Sequence, residues 1–481
     1  MNRMFARTTA LVFCALLGSC SEGEAPSAAS TPGGAATAGA GAEIRRVLLV
    51  SCDTLRADRL GLYGCGQETS PNLDAFARGA RVYDQAFSTT SLTHPAMSAV
   101  LTGRMPDEIG MSGGNRQQMP AEVVTLAEVL GANGIATAAV VSNWVLRGLE
   151  GRPGEGIAQG FEHFDDQMDV RELNRESFER AGPATTDAAL AWLTAREEDA
   201  GEQPYFLWVH YQDPHGPYTA PEEFLRPEQT LPGDRRLKQG KTHSGARQLP
   251  SYQWIEGQRQ SAFYRAQYDA EVRYFDHEVG RLFDWLAGEG LLDSSLIVFT
   301  ADHGESLGEH DYWFCHGETV ARELVRVPFL VRSPRTTPGR SSALTGHLDV
   351  FATVLDAFDL APQASRGTSV LALDPDPERV LVQTLFRREA TVRLEAVTDG
   401  RWRLIQNFQK ARLYDLQADP GEEHDLARAE PQVVKGLQRQ LEQYWRAAPG
   451  AIVAEGAEAA LDAEALRAFD ALGYTDGKEE E

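Results

Sequence analysis

Acidic and histidine side chains gather at the ends of three short apolar runs of the sequence. These side chains belong to Asp53, His210, Asp213, His215, Asp302 and His303. Carboxylate and imidazole groups on one rim are the ligands that divalent cations such as Zn, Mn, Ca and Mg take. One aspartate in such a position is more often a cap or a turn residue. Several of them at matching strand ends predict a metal site.

The apolar runs are typical of parallel strands that are covered on both faces. They lie at 44–52, 136–142, 205–210, 296–300 and 327–331. Helical patterns alternate with them, at 70–78, 96–101, 124–132, 185–197, 262–286 and 348–358. This alternation predicts an α/β fold with a mostly parallel central sheet flanked by helices, in which ligands collect beyond the carboxyl ends of the strands.

The sequence changes character past residue 375. Short runs at 380–384, 390–398, 402–406 and 412–414, with an Asp-Gly turn between two of them, predict a smaller antiparallel sheet. We therefore expect a catalytic domain over 44–375 and a C-terminal α+β subdomain with a helical tail over 376–481. The polar segment from 222 to 252 is interpreted as a long loop near the entrance to the site.

The N-terminus has the pattern of an export signal. Residues 1–19 contain a basic start and an apolar run too short to span a bilayer. Leu17-Gly18-Ser19-Cys20 resembles the bacterial lipobox, in which the cysteine is acylated; an ordinary signal peptide with an incidental Cys20 is the alternative. Residues 20–43, which are small and polar, predict a flexible linker. We expect a lipid-anchored protein of the bacterial cell envelope, at the outer membrane facing the periplasm.

Composition excludes one class of partner. The chain has 481 residues, with 46 Lys and Arg against 70 Asp and Glu, and a formal net charge of −24. Because nucleic-acid binding depends on basic surfaces, DNA and RNA are not expected partners. Past the lipobox only Cys52, Cys65 and Cys315 remain, so at most one disulfide can form, and its pairing stays open.

Six ordered segments resemble the sulfatase family of the alkaline-phosphatase-like superfamily. The segments are VLLVSCDTLRADRLGLYG, SPNLDAFARGARVYDQAFST, SLTHPAMSAVLTGR, VHYQDPHGPY, FTADHGESLGEHDYWFCHG with RVPFLVRSP, and RLYDLQADPGEEHDL. The resemblance extends over residues 44–475 and implies the fold named above together with a metal-dependent hydrolysis of anionic esters.

The resemblance also implies roles for single residues. Asp53 matches the first acidic metal ligand, and Asp302 with His303 match the pair that completes the site. His215 matches the histidine that touches the ester oxygens or protonates the leaving group, and His316 stands where many relatives have a lysine. Substrate contacts are expected from His210 and Asn143, and a structural role is the equal alternative for His210. Supporting or packing roles are expected for His310, Asp213, His347 and Asp349.

The nucleophile position departs from the family pattern. Sulfatases carry Cys or Ser before x-Pro-x-Arg and oxidise it to formylglycine, whereas Thr93 stands here and Met97 replaces the arginine. Threonine would give a ketone instead of an aldehyde, and Thr54 replaces the usual second acidic ligand. We therefore expect a metal-bound Thr93, whose pKa the cation lowers, to act as the nucleophile, as in related phosphodiesterases and phosphoethanolamine transferases.

The leading hypothesis is a hydrolase of phosphate, phosphonate or sulfate esters with one divalent ion, either Ca, Zn or Mn. Its partner would be a small anionic ester or a sulfated or phosphorylated glycan or lipid. Two alternatives are a degenerate relative that binds an anionic glycan or lipid without turnover, and a phosphoethanolamine-type transferase. Gly-x-Ser-x-Gly occurs at 110–114 and 304–308, but neither copy has the strand–turn–helix context of a serine hydrolase.

Overall fold

The computed structural model describes residues 42–450, except for 113, 116, 149–154, 169, 172, 174–177, 200–202, 227–233, 372–375, 377 and 388–391. The predicted signal peptide, Cys20, nearly all of the linker and residues 451–481 of the tail lie outside the described residues, as does the boundary at 375. Among the residues that are described, no helix has the length and apolar character needed to cross a membrane.

The strands are named in chain order. They are β1 (Arg46–Cys52), β2 (Arg81–Phe87), β3 (Ala136–Val141), β4 (His163–Asp165), β5 (Val170–Arg171), β6 (Phe178–Glu179), β7 (Tyr205–Tyr211), β8 (Leu296–Ala301), β9 (Ser306–Leu307), β10 (Trp313–Cys315), β11 (Phe329–Arg332), β12 (Gly339–Gly346), β13 (Leu381–Arg387), β14 (Val392–Thr398), β15 (Trp402–Gln406) and β16 (Ala411–Asp415).

The α-helices agree with the helical patterns of the sequence except for the short α6, which no pattern predicted. They are α1 (Pro71–Ala77), α2 (Thr93–Thr102), α3 (Leu126–Ala132), α4 (Gly182–Asp199), α5 (Ser261–Gly288), α6 (Arg322–Val325), α7 (His347–Ala357) and α8 (Pro431–Arg446). Helix α2 begins three residues before the predicted start, so that it includes residue 93.

An eight-stranded sheet in the order β12-β2-β11-β8-β1-β7-β3-β4 forms the centre of the fold. Strand β1 pairs in parallel with both β7 and β8, and its apolar residues are buried because the sheet is covered on both faces. The predicted α/β fold with a mostly parallel sheet is therefore confirmed.

One predicted strand runs in the opposite direction. The run at 327–331 was grouped with the parallel strands, but β11 is antiparallel to β8 and to β2. A continuous apolar run reports burial on both faces and carries no information on direction. Strands β2 and β12, which the sequence pattern did not predict, pair in parallel with each other beyond β11.

The C-terminal part forms a four-stranded antiparallel sheet in the order β13-β14-β15-β16. Leu437 and Leu441 of α8 pack with Val397, Leu404 and Leu413 of this sheet in one buried cluster. The predicted smaller antiparallel sheet is confirmed.

Candidate active site

The carboxyl ends of the central strands bring the predicted metal ligands together. Asp53 follows β1 directly, and Asp302 follows its neighbour β8. The Asp53 amide donates to the Tyr211 carbonyl at 3.0 Å, and the Asp302 amide donates to the Cys52 carbonyl at 3.0 Å, so the strand pairing continues into the site. Two residues more than 240 positions apart in sequence thus share one edge of the sheet.

Asp53, Asp302 and His303 form a compact group. Each offers one ligand atom, and these atoms lie within 4.8 Å of one another. All three side chains are fully buried. His303 Nε2 lies 3.5 Å from Asp302 Oδ2 and 3.9 Å from Asp53 Oδ1.

The two carboxylate oxygens that face His303 lack a donor. Asp53 Oδ1 and Asp302 Oδ2 are buried and accept no hydrogen bond from the described residues. Buried polar atoms in native proteins nearly always have a partner, because an unpaired one costs free energy. A divalent cation between the carboxylates and the imidazole would satisfy both oxygens, so these residues fit the metal that the sequence predicted.

Backbone groups orient the ligands. Asp302 Oδ1 accepts from the amides of Thr54, at 3.0 Å, and of His303, at 2.6 Å. His303 Nδ1 lies 2.9 Å from the Gly304 carbonyl. Because a carbonyl only accepts, Nδ1 carries the proton and the Nε2 lone pair points towards the carboxylates.

The electrostatics of the group also suit a cation. Burial and the nearby Asp302 carboxylate raise the pKa of Asp53 well above its usual range, while a hydrogen bond from the Asn143 side-chain amide opposes the shift. Burial lowers the pKa of His303, which favours the neutral imidazole. Metal ligands must be a carboxylate and a neutral imidazole, so a bound cation would take the place of the proton that burial favours on Asp53.

Thr93 stands at this group. It is the first residue of α2 and is fully buried. Its Oγ1 lies 3.5 Å from Asp53 Oδ2 and 3.3 Å from His303 Nε2. The positive end of the α2 dipole lies at the same place and favours an anionic group beside the hydroxyl.

Two further imidazoles extend from the group. The His316 ring centroid lies 4.4 Å from that of His303 and 5.3 Å from that of His215. His316 Nδ1 lies 3.3 Å from Glu305 Oε1, and His215 Nδ1 lies 3.2 Å from Gln212 Nε2. One ring nitrogen of each histidine therefore faces a neighbouring side chain that orients the ring.

Comparison with known proteins now identifies the family. The family model described as Sulfatase matches residues 45–360. The chain belongs to the sulfatase family. It is 27% identical over 407 residues to choline-sulfatase of Rhizobium meliloti (strain 1021), a match that covers 74% of this chain and 77% of the relative. It is 26% identical to arylsulfatase A of Homo sapiens, covering 82% and 86% of the two chains.

Solved structures share the sulfatase fold. A protein solved in complex with its substrate D-glucosamine-2-N,6-O-disulfate superposes with a TM-score of 0.69 at 19% identity, covering 84% of this chain and 98% of that one. Phosphonate monoester hydrolase of Agrobacterium radiobacter gives a TM-score of 0.67 at 19% identity, with coverages of 84% and 96%. At this identity the likeness shows the fold alone.

In this sulfatase-family chain, His210 lies beneath the site. It is the second-to-last residue of β7, and its Nδ1 lies 2.9 Å from Ser51 Oγ, which also accepts from Trp208 Nε1. Burial lowers the pKa of His210 to about 4. The described hydrogen bond of His210 therefore connects β7 to the neighbouring strand β1 and does not involve Thr93.

The residues expected in supporting roles lie in structural contacts. Asp349 accepts from the Thr345 hydroxyl and the Gly346 amide at the start of α7. His347 Nε2 lies 2.8 Å from the Ala301 carbonyl. Asp213 is half-buried with its Oδ2 atom inaccessible, and burial of the carboxylate raises its pKa to about 7.

His310 belongs to a different group. Its ring and the carboxylates of Glu323 and Glu422 also offer atoms within 4.8 Å of one another. However, Glu422 already accepts from the Arg403 side chain at 2.6 Å and from the Arg322 amide at 3.0 Å. Because these donors occupy both Glu422 oxygens, we assign no cation there.

Two side chains that the sequence analysis did not select also line the site. Glu305 is fully buried and accepts from the Tyr218 hydroxyl at 3.1 Å in addition to facing His316. Asn115 Oδ1 accepts from the His94 amide at 2.9 Å, in the first turn of α2. Glu305 lies two residues after His303, and this spacing was the one available signal; the polar loop around Asn115 gave none.

Proposed function

We propose that this protein is a metal-dependent, sulfatase-like hydrolase of phosphate, phosphonate or sulfate esters, with Thr93 as nucleophile in place of formylglycine. The proposal rests on the position of Thr93 Oγ1, 3.5 Å from Asp53 Oδ2 and 3.3 Å from His303 Nε2. A hydroxyl in contact with two proposed metal ligands is placed to share their ion. The donor-free oxygens of Asp53 and Asp302 support a cation at this point.

Asp53, Asp302 and His303 would hold one divalent ion, for which Ca, Zn and Mn are the candidates. When bound, the ion would lower the pKa of the Thr93 hydroxyl and offset the charge of the ester. The chain itself provides the alignment: the Thr54 and His303 amides hold Asp302, and the Asn143 amide holds Asp53.

The reaction would proceed in two displacements. The Thr93 hydroxyl releases its proton to solvent, Oγ1 attacks phosphorus or sulfur in line, the bond to the leaving oxygen breaks, and His215 protonates that oxygen. Water then attacks the same centre and gives a proton to His215, the bond to Thr93 Oγ1 breaks, and the threonine oxygen takes up a proton from solvent. His316, with Nδ1 facing Glu305, would direct Nε2 to the non-bridging oxygens.

This chemistry favours phosphorus over sulfur. A formylglycine hydrate has a second hydroxyl on the same carbon, so its sulfate ester can be expelled by elimination. Threonine has one hydroxyl, so its ester must be hydrolysed at the central atom. The loss of an acidic ligand at Thr54 also tolerates a more negative substrate. We therefore place phosphate and phosphonate esters ahead of sulfate esters.

The substrate would be a small anionic ester or a sulfated or phosphorylated glycan or lipid. Relatives named choline-sulfatase and phosphonate monoester hydrolase, and the structure that holds a disulfated glucosamine, support these classes. From the N-terminal sequence we also propose acylation of Cys20 and attachment to the outer membrane on the periplasmic side.

The test combines metal analysis with p-nitrophenyl phosphate, phosphodiester, phosphonate and sulfate assays on the purified protein. We expect turnover of at least one ester that EDTA abolishes, and a loss of about 10³-fold or more in Thr93→Ala with metal content unchanged. Activity of Thr93→Ala within about tenfold of wild type would exclude Thr93 as nucleophile. Absence of both metal and turnover in the wild type would favour the alternative of a binding protein without catalysis.

A further inference from the structure

A basic loop stands out in this acidic chain. Residues 234–260 contain six arginines and lysines but two acidic residues, whereas the whole chain has a formal charge of −24. All six cationic side chains are exposed: Arg235 pairs with Asp311 and Arg259 donates to Gln239, and the other four are Arg236, Lys238, Lys241 and Arg247. Within the described part of the chain, none of the four forms an ion pair.

The loop is fixed to the segment that ends in His316. The Arg247 amide donates to the Asp311 carbonyl at 2.8 Å, and the Trp313 amide donates to the Gly245 carbonyl at 2.9 Å. The Cys315 thiol lies 3.1 Å from the His243 carbonyl. The backbone that carries the cations is therefore held against the wall of the active site.

A row of rings connects the loop to the metal ligands. His243 stacks on Tyr252 with centroids 5.8 Å apart, and Tyr252 stacks on His215 at 6.3 Å. His215 in turn contacts His316, which contacts His303. His243 lies two residues from one exposed lysine and four from one exposed arginine. The stacked rings therefore link the backbone that carries these cations to the same centre.

We propose that these four side chains dock an anionic polysaccharide that carries several charged groups, so that one of its esters reaches Thr93. This inference rests on the proposed function and deepens it by naming the substrate class. Cations without partners at the entrance to a site raise the local concentration of a polyanion that the rest of the acidic surface repels. A small ester with one charge would gain little from them.

The composition of the loop favours a soluble polyanion over a membrane. Its large apolar side chains Leu237, Leu249 and Tyr252 are buried, and Trp254 and Ile255 are half-buried and pack against the core. The large hydrophobic side chains that the described residues expose are Val124, Val170, Leu173 and Phe408, and none belongs to the loop. A segment that lies in a membrane surface pairs its cations with exposed apolar side chains, and this loop lacks that apolar contribution.

The test measures direct binding of fluorescein-labelled dextran sulfate to the full chain, with neutral dextran as the reference probe. The loop variant is R236Q/K238Q/K241Q/R247Q. The matched control, K410Q/R428Q/K435Q/R439Q, removes four exposed cations from the C-terminal subdomain. We expect the loop variant to bind dextran sulfate about tenfold or more weakly, and the control within about twofold of wild type. Raising NaCl from about 50 to about 300 mM should weaken the binding of dextran sulfate by the wild type more than its binding by the loop variant.

Three results would overturn the inference: equal binding by the loop variant and the wild type, an equal loss in the control variant, or wild-type binding to phosphatidylglycerol vesicles without binding to dextran sulfate. Thermal unfolding of each variant checks that a loss of binding is not a loss of fold. Because binding needs no turnover, an inactive wild type that still binds dextran sulfate through the loop would refute the proposed catalysis and leave the docking surface standing.

Discussion

Asp302→Asn would change only the atom of Asp302 that faces the proposed cation. Asp302 Oδ1 accepts from the amides of Thr54 and His303, and an asparagine oxygen can accept both bonds. Oδ2, which lies 3.5 Å from His303 Nε2 and has no donor among the described residues, becomes an NH₂ group. An amide nitrogen offers no lone pair to a cation. The variant should therefore fold and lose the metal.

The structure also gives the sign of the stability change. Asp53 and Asp302 have ligand atoms within 4.8 Å of each other, so without metal the wild type must either hold a proton on Asp53 or bear the repulsion of two carboxylates, and the neutral asparagine reduces both costs. Without metal, the variant should therefore be at least as stable as the wild type. With the ion at about a hundred times the wild-type Kd, binding stabilises the wild type by about 2.7 kcal/mol. At the same ion concentration, binding stabilises a variant with an about hundredfold higher Kd by only about 0.4 kcal/mol. The variant is therefore the less stable protein with metal, although it is at least as stable as the wild type without metal.

Urea unfolding in EDTA and with added Ca, Zn or Mn measures this reversal, alongside the metal content of each protein. Asp349→Asn is the matched control, because Asp349 is equally buried but lies at the start of α7. It should lose stability to the same extent with and without metal. Unaltered metal content in Asp302→Asn, or the same order of stabilities in both conditions, would refute the assignment of Asp302 as a ligand.

Two further predictions concern stability away from the metal ligands. Arg403→Ala should lower the free energy of unfolding by about 3 kcal/mol, because it leaves the buried Glu422 carboxylate without its cation; the exposed Arg412→Ala should change it by less than about 0.5 kcal/mol in the same urea titration. Burial lowers the pKa of His347 to about 4. Between pH 6.5 and about 4 the unfolded chain therefore binds a proton that the folded chain does not, so the free energy of unfolding decreases as the pH is lowered. His347→Asn should reduce this dependence by about 1.4 kcal/mol per pH unit, and an unchanged slope would contradict the assignment.

Much of the fold could be predicted because strands that are buried on both faces consist of nearly continuous apolar residues. Continuous apolar runs predicted β1, β3, β7 and β8, and the positions after β1 and β8 indicated Asp53 and Asp302 as site residues. Strand direction could not be read for β11, since apolar character is the same in either direction. The pattern also missed β2, which carries the polar residues Arg81, Asp84 and Gln85.

The site was predictable to the extent that its residues follow a strand or match a family motif. Asp302 and His303 follow a strand and match a family motif, whereas Thr93 matches a motif position only. The structure brings all three together. Glu305 was missed because its role depends on contacts with Tyr218 and His316 from other segments. Contacts of that kind arise from tertiary packing, which a local pattern does not record.

Trapping the covalent intermediate tests the central claim most directly. The protein is mixed with a phosphate or phosphonate ester that it turns over, quenched in acid within the first turnovers, digested, and mapped by mass spectrometry. The account predicts a phosphoryl or phosphonyl group on the peptide that contains Thr93, and its disappearance as substrate is exhausted. Turnover without a modified Thr93, together with a modification at another side chain, would contradict it.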